Sequence, residues 1–98
     1  MTKYITKNKS VYEKVNSKWK RNGKPIDGDA YYVANDVLKD VLEDHELRKG
    51  STLDQMTKER LVSDLKEEGL GIDYRIIFFL KRKDKYVLGF SSLVEKVE

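Results

Sequence analysis

The stretch YRIIFFLKRKDKYVLGF, residues 74–90, contains the two most strand-like segments of the chain. Residues 74–80 and 85–90 are rich in β-branched and aromatic side chains, and the charged residues 82–84 separate them. This pattern predicts an antiparallel β-hairpin with a basic tip. Apolar side chains occupy both faces of the first strand around Ile77 and Phe79. We therefore expect that strand to be covered on both sides, or to use one face as a contact surface.

Upstream of the hairpin, the first amphipathic segment predicts a helix that begins at Ser10 and ends before Gly23. Ser10 and Glu13 have the spacing of a capping box, in which each side chain satisfies a free backbone donor of the other residue. Gly23 is suited to the position after a helix, and the proline that follows prevents continuation. The apolar residues that recur at helical spacing are Val11, Tyr12, Val15 and Trp19.

Two further helices are predicted between the first helix and the hairpin. The second ends before Gly50 and has a broad apolar arc opposite an acidic side. The third ends at Gly69, where Leu70 can close the helix end. Its predicted buried stripe consists of Leu53, Met56, Leu61 and Leu65. The candidate N-caps are Asp27 or Asp29 for the second helix and Ser51 or Thr52 for the third.

These elements predict one α+β domain over residues 1–98, in which three helices are followed by a C-terminal antiparallel β-hairpin. A short strand over residues 3–6 is expected in front of them, and the tail at residues 93–98 either extends the sheet or frays. This order resembles the winged helix-turn-helix superfamily over roughly residues 10–92. The resemblance implies nucleic-acid binding in which the hairpin, or wing, contacts the phosphate backbone.

Composition excludes several kinds of chemistry. The chain has 98 residues, of which 39% are hydrophobic and 38% charged, and it has no cysteine. Disulfides, zinc–thiolate sites and cysteine nucleophiles are therefore ruled out. The single histidine, His45, lies near the end of the second predicted helix, where a structural role is sufficient. We expect a protein that is not an enzyme and that needs no metal, cofactor or small-molecule substrate.

The location is expected to be cytoplasmic. The first residues lack the apolar segment of a signal peptide. The longest apolar run, residues 76–80, is far too short to cross a bilayer, so no membrane contact is expected.

The net charge of +3 conceals an uneven distribution. Residues 1–26 carry eight basic groups and one acid, whereas residues 27–47 carry seven acids and one lysine. Such asymmetry indicates either an external partner or internal pairing. The simplest internal explanation is that the basic first segment lies against the acidic second one.

Two basic clusters make nucleic acid, with DNA favoured, the first candidate partner. Basic side chains neutralise phosphates, and we expect contacts to the backbone more than to the bases. Trp19 could stack on a base, but its place in the apolar stripe favours a core role. A charged tip can also serve only to protect the hairpin edge from pairing with other chains. The predicted contact residues are Lys14, Lys18, Arg21, Lys81, Arg82, Lys83 and Lys85.

The alternative function is binding to a larger protein, as accessory or inhibitor proteins of phages and mobile elements do. Its basis is the acidic face of the second predicted helix, which could mimic phosphates toward a basic partner through Asp36, Asp40 and Glu43. The same face with Asp29 could attract magnesium, but residues spread over several helical turns cannot converge on one ion. Dimerisation through the hairpin edge is a third candidate.

Overall fold

The structure, a computed structural model, describes residues 2–66 and 71–97. This part of the chain is mostly β-structure, with two antiparallel sheets and two helices. In the described ranges, neither helix has the length and apolar character that crossing a membrane requires. The elements, in chain order, are β1 (Thr2–Thr6), β2 (Val11–Val15), β3 (Lys18–Arg21), β4 (Lys24–Pro25), β5 (Gly28–Ala34), α1 (Asn35–Asp44), β6 (Thr52–Leu53), α2 (Gln55–Lys66), β7 (Tyr74–Arg82), β8 (Lys85–Phe90) and β9 (Val94–Val97).

The elements form three layers. Sheet A has the strand order β4-β3-β2-β1-β9, and sheet B has the order β5-β7-β8-β6. Sheet B is the middle layer, because buried residues of β7 belong to two different cores. Ile77 and Phe79 pack with α1 and α2 in a helix-side core, whereas Ile76 and Phe78 pack with sheet A in an inter-sheet core.

The predicted hairpin at residues 74–90 is confirmed. Strands β7 and β8 pair in antiparallel fashion from Ile77 with Phe90 to Arg82 with Lys85. The expectation that β7 is covered on both sides is also confirmed, since Ile76 and Ile77 are both fully buried. Strand β1 confirms the predicted N-terminal strand, and β9 shows that the tail extends a sheet by pairing with β1.

The prediction of three helices is wrong, beginning with the first. Residues 11–21 form the hairpin β2–β3, closed by a two-residue turn at Asn16 and Ser17. Both turn residues have positive φ, as a type I′ turn requires, and asparagine tolerates that conformation. A second such turn, Asn22-Gly23, joins β3 to β4. The apolar residues read as one helical stripe therefore alternate between the two faces of a sheet.

The second predicted helix is only half helical. Its first part is strand β5, which pairs with β7 over seven residues. Aromatic and β-branched side chains such as Tyr31, Tyr32 and Val33 suit a sheet between two covered faces. Helix α1 begins at Asn35, whose side chain accepts a hydrogen bond of 2.7 Å from Arg75 Nε, and it buries Leu38, Val41 and Leu42.

The third predicted helix exists as α2 but begins later than expected. Thr52 and Leu53 pair with β8, and Leu53 is buried in the helix-side core. The cap is Asp54, whose carboxylate accepts a hydrogen bond of 2.8 Å from the Thr57 backbone N–H. That hydrogen bond lowers the pKa of Asp54 below its ordinary value. The predicted helix end at Gly69 and Leu70 lies outside the described residues. The element order on which the winged-helix resemblance rested is therefore wrong.

The buried Lys58 of α2 provides a test of the contact between α2 and β5. Its Nζ donates to Asp29 of β5 and lies 4.5 Å from the centre of the Tyr86 ring. Burial lowers the pKa of Lys58, but the hydrogen bond and charge of Asp29 outweigh it, so the pKa is raised above 10.5. We expect Asp29→Ala to lower the free energy of unfolding by about 1–2 kcal/mol, since Asp29 is half exposed and partly screened. Urea unfolding at pH 7 measures this change.

The matched control for Asp29→Ala is Asp40→Ala, which removes an exposed carboxylate from the middle of α1 and should change stability by less than about 0.5 kcal/mol. Because the pKa of Lys58 is raised by folding, the contribution of the pair is complete below the ordinary lysine pKa. It is lost as the pH rises through the folded pKa. Equal stability of Asp29→Ala and wild type at pH 7 would show that the pair contributes nothing.

Candidate nucleic-acid interface

The three layers place basic and acidic groups on opposite sides of the molecule. The eight basic residues within residues 1–26 lie on β1–β4 and the turns between them, in sheet A. Five of the seven acids of residues 27–47 lie on α1 or in the two residues after it, beyond sheet B. The expectation that the basic segment lies against the acidic one is therefore wrong. No ion pair between described residues joins these two segments.

A basic cleft of about 400 Å³ opens between the turn of β3–β4 and the end of β7. Arg21 and Lys24 are contributed by the β3–β4 hairpin, where they are directly paired across the Asn22-Gly23 turn. Arg82 is contributed by β7, beyond Leu80. Among the described residues that line the cleft, Asp27 is the one acid. The cleft thus carries an excess of positive charge.

The cations of the basic cleft have no carboxylate partner in the part of the chain that the structure describes. Arg21, Lys24 and Arg82 form no ion pair within 4.0 Å there, although Asp27 lines the same cleft. Arg21 lies 5.5 Å from the centre of the Phe78 ring, a position that supports the guanidinium while leaving its N–H groups free. These side chains are available to an external anion.

The residues predicted to contact nucleic acid are brought together only in part. Arg21 and Arg82 line the basic cleft. Lys14 lies toward the other end of β3, over the Trp19 ring at 5.9 Å, beside a small hollow of about 140 Å³. Lys18, adjacent to the buried Trp19 on β3, is exposed on the outer face of sheet A.

The basic residues at the hairpin tip are also only partly at the cleft, because neighbouring residues of a strand point to opposite faces of the sheet. Lys81 points toward the helix side, with its Nζ 5.9 Å from the centre of the Tyr86 ring, whereas Arg82 points toward the cleft. Lys83 lies in the turn with a φ of 56°, and Lys85, paired with Arg82, is exposed. Of the four predicted tip cations, the structure therefore places Arg82 in the cleft, whereas Lys85 lies near enough to Asp54, the cap of α2, to lower the pKa of that carboxyl.

Two cations at this surface were missed as candidate site residues. Lys24 belongs to the cleft because the Asn22-Gly23 turn places it opposite Arg21. The dipeptide Asn-Gly between basic residues is a known hairpin signal that could have indicated this. Lys49, in the loop after α1, lies over the Phe90 ring at 5.5 Å close to the cleft. No local pattern indicates that position.

The aromatic residue considered for stacking on a base is in the core. Trp19 is 7% exposed and stacks on Tyr4 with ring centres 5.7 Å apart. The prediction that Trp19 is a core residue is confirmed, although it lies on a strand and not on a helix. A bound strand would therefore contact this surface through charge, without stacking on Trp19.

The acidic residues of the alternative hypothesis do share one exposed face. Asp36, Asp40 and Glu43 are exposed on α1 at positions that fall along one side of the helix. Asp29, which was assigned to the same face, lies on β5 and pairs with Lys58. Among the described residues, no group of three or more histidine and acidic side chains is placed to hold a metal ion.

His45 occupies the C-cap position of α1 and joins the two helices. Its Nε2 lies 2.6 Å from Oδ2 of Asp64 on α2. The contact explains the position of this histidine as a link between α1 and α2.

A scan against protein-family models finds no match for this chain, and searches of curated proteins and of solved structures find no similar protein. The case for a function therefore depends on the geometry of the surface alone.

Proposed function

We propose that this protein binds nucleic acid by contacting backbone phosphates at the basic cleft. The observation that supports the proposal most is the convergence of Arg21 and Lys24 with Arg82, which is about sixty residues away in the chain, in one cleft. Phosphate oxygens accept hydrogen bonds from guanidinium and ammonium groups that have no carboxylate partner. The proposed activity is binding alone, without catalysis.

The charge separation between the layers supports the same surface. The acidic residues of α1 lie beyond sheet B, so they face away from a polyanion that approaches the cleft. An oriented charge distribution of this kind steers a charged ligand toward one side of a protein. Within residues 2–66 and 71–97, both helices lie on the other side of sheet B from sheet A, so we expect contacts to phosphates more than to base edges.

The first test is the salt dependence of binding, measured by fluorescence anisotropy with labelled duplex DNA, single-stranded DNA and RNA. If three phosphates are neutralised by Arg21, Lys24 and Arg82, affinity should fall about 40-fold between 50 and 200 mM salt. Absence of binding to all three ligands at 50 mM salt would refute the proposal.

The second test is charge reversal in the cleft. The double variant Arg21→Glu/Arg82→Glu is expected to bind about 60-fold or more weakly than wild type at 0.1 M salt. The reason is that each phosphate contact contributes roughly 0.9 log units under that condition. Anisotropy titrations measure the loss, and circular dichroism checks that the variant is folded.

The matched control for the charge reversal is Lys39→Glu/Arg60→Glu. It changes the net charge by the same amount on exposed residues of α1 and α2. We expect less than about a threefold change in affinity, since those residues lie on the opposite layer. Equal losses in the two double variants would mean that only net charge matters and that the cleft is not the binding surface.

A second candidate function is binding to a basic protein through the acidic face of α1. The observation that favours it is that Asp36, Asp40 and Glu43 are all exposed along one side of the helix. Reversing these three charges should release a partner captured from the source cell in the presence of nuclease. Retention of every captured protein by the triple variant would count against this function.

A further inference from the structure

Next to the basic cleft lies a second concave surface with a different lining, which we call the polar recess. It has a volume of about 360 Å³ and shares Arg21 and Asn22 with the cleft. Its floor includes Phe78 and Phe90, and none of the described residues that line it is acidic. The polar residues that matter for the inference are Asn8, Ser10, Arg21, Asn22, Lys49 and Ser92.

Both asparagines of the recess have their amide oxygens already engaged. The Asn22 Oδ1 accepts a hydrogen bond of 2.8 Å from the Val11 backbone N–H. The Asn8 Oδ1 accepts a hydrogen bond of 2.5 Å from the Thr6 hydroxyl and a longer one of 3.3 Å from the Ser10 backbone N–H. These donors fix the orientation of both amides, because a flipped amide would direct its own N–H groups at a backbone N–H. The two NH₂ groups, which only donate, are left for a ligand.

The remaining polar groups are donors or can become donors. Ser92 Oγ accepts from the Asn8 backbone N–H at 3.3 Å, which leaves its hydroxyl hydrogen free. Arg21 and Lys49 each lie 5.5 Å from the centre of an aromatic ring of the floor. A guanidinium stacked on a ring keeps its in-plane N–H groups directed elsewhere, and an ammonium near a ring keeps donors that point away from it. The recess therefore presents two positive charges and several neutral donors, without a carboxylate.

From this set of donors we infer that the polar recess binds a phosphate monoester, and that its ligand is the terminal phosphate of a nucleic-acid strand lying in the basic cleft. Two cations match the charge of about −2 that a monoester carries at pH 7. A monoester has three free oxygens, so it offers these neutral donors more acceptor sites than the two free oxygens of a phosphodiester or a carboxylate do. The volume lies within the range of small-molecule sites, so the sugar next to the phosphate can enter as well.

The inference that the phosphate belongs to a nucleic-acid strand rests on the proposed function, in which such a strand lies in the basic cleft. Arg21 and Asn22 line both concave surfaces, so a strand that follows the cleft reaches the recess without a gap. Because a monoester occurs only at a strand end, the site would distinguish strands by the chemistry of their ends. Free phosphate shares this chemistry and forms a separate arm of the test.

The test compares oligonucleotides of one sequence that end in a 5′-phosphate, a 3′-phosphate or a hydroxyl, by fluorescence anisotropy. We expect one phosphorylated end to bind about tenfold more tightly than the hydroxyl end. Lys49→Gln should remove most of that ratio, because Lys49 lines only the recess. Arg82→Gln should weaken binding of all oligonucleotides and preserve the ratio. Lys39→Gln, on the opposite layer, is the control with the same loss of charge and should change neither.

A second measurement separates failure of the recess from failure of the proposed function. Inorganic phosphate is titrated into the ¹⁵N-labelled protein at constant ionic strength. Saturable shifts of the amides of Asn22, Lys49 and Ser92, reduced in Lys49→Gln, support the recess even if no oligonucleotide binds. That combination would overturn the proposed function and the nucleic-acid source.

Two outcomes would overturn the inference itself. The first is equal affinity for all three oligonucleotide ends together with no saturable phosphate shifts in the recess. The second is tighter binding of a phosphoserine peptide than of every phosphorylated oligonucleotide. That result would overturn the assignment of the phosphate monoester to nucleic acid.

Discussion

Alanine at Ile76 and alanine at Ile77, introduced separately, are each expected to lower the free energy of unfolding by about 2–5 kcal/mol. Both side chains are fully buried although they are neighbours on one strand and point to opposite faces. Ile76 lies in the inter-sheet core and Ile77 in the helix-side core. Each substitution leaves a cavity in a different core, so both should be costly. Urea unfolding monitored by circular dichroism measures the two changes.

The matched control is Ile72→Ala, since Ile72 is 99% exposed and its loss should change stability by less than about 0.5 kcal/mol. The comparison tests the three-layer architecture directly. A hairpin with one free face would make one of the two buried-site variants nearly neutral. Stability of either Ile76→Ala or Ile77→Ala equal to that of Ile72→Ala would contradict the position of sheet B as the middle layer.

Gly28→Ala is expected to lower the free energy of unfolding by about 3 kcal/mol or more. Gly28 begins β5 with a φ of 147°, and a Cβ atom there would lie 1.8 Å from the backbone oxygen of Phe79. That oxygen belongs to the strand paired with β5, so the clash is relieved only by moving the two strands apart. The change is measured by thermal unfolding and by urea unfolding.

Gly23→Ala separates the steric clash from the backbone preference. Gly23 also has a positive φ, of 82°, but nothing lies within 4 Å of the position that a Cβ atom would occupy. This variant should therefore cost only about 1 kcal/mol, the penalty for a side chain in the left-handed region. If the two glycine variants lost equal stability, the close approach of β5 to β7 at Gly28 would be refuted.

Residues 10–22 were predicted to be a helix but form a β-hairpin, which shows that helical spacing of apolar residues can mislead. Val11, Val15 and Trp19 are four residues apart, which satisfies a helix, and the Ser10–Glu13 spacing strengthened that interpretation. The same spacing arises in a β-hairpin, where side chains alternate between the two faces of each strand and a two-residue turn joins the strands. Two turns that favour positive φ, Asn16-Ser17 and Asn22-Gly23, are present in the sequence, and giving them more weight would have predicted the hairpins.

The candidate site was predictable only as a list of cations. The sequence identified Arg21 and Arg82 as members of two basic clusters, but it could not show that they share a cleft while Lys14 and Lys81 do not. Which face of a strand a cation occupies depends on register, and a shift of one residue exchanges the faces. Lys49 and the free amide of Asn8 enter the site through loops, for which no periodic pattern exists.

By itself, the sequence determined the hairpin at residues 74–90, the N-terminal strand at residues 3–6 and the burial of Trp19. It also determined which chemistry the absence of cysteine excludes. These follow from local composition, because a strand with apolar side chains on both faces must have both faces removed from water. Only the tertiary structure decided that sheet A supplies that cover on one side and the helices on the other. The reason is that packing between layers depends on contacts far apart in the chain. The same contacts bring Arg21 to Arg82 and place the acidic residues of α1 on the opposite side.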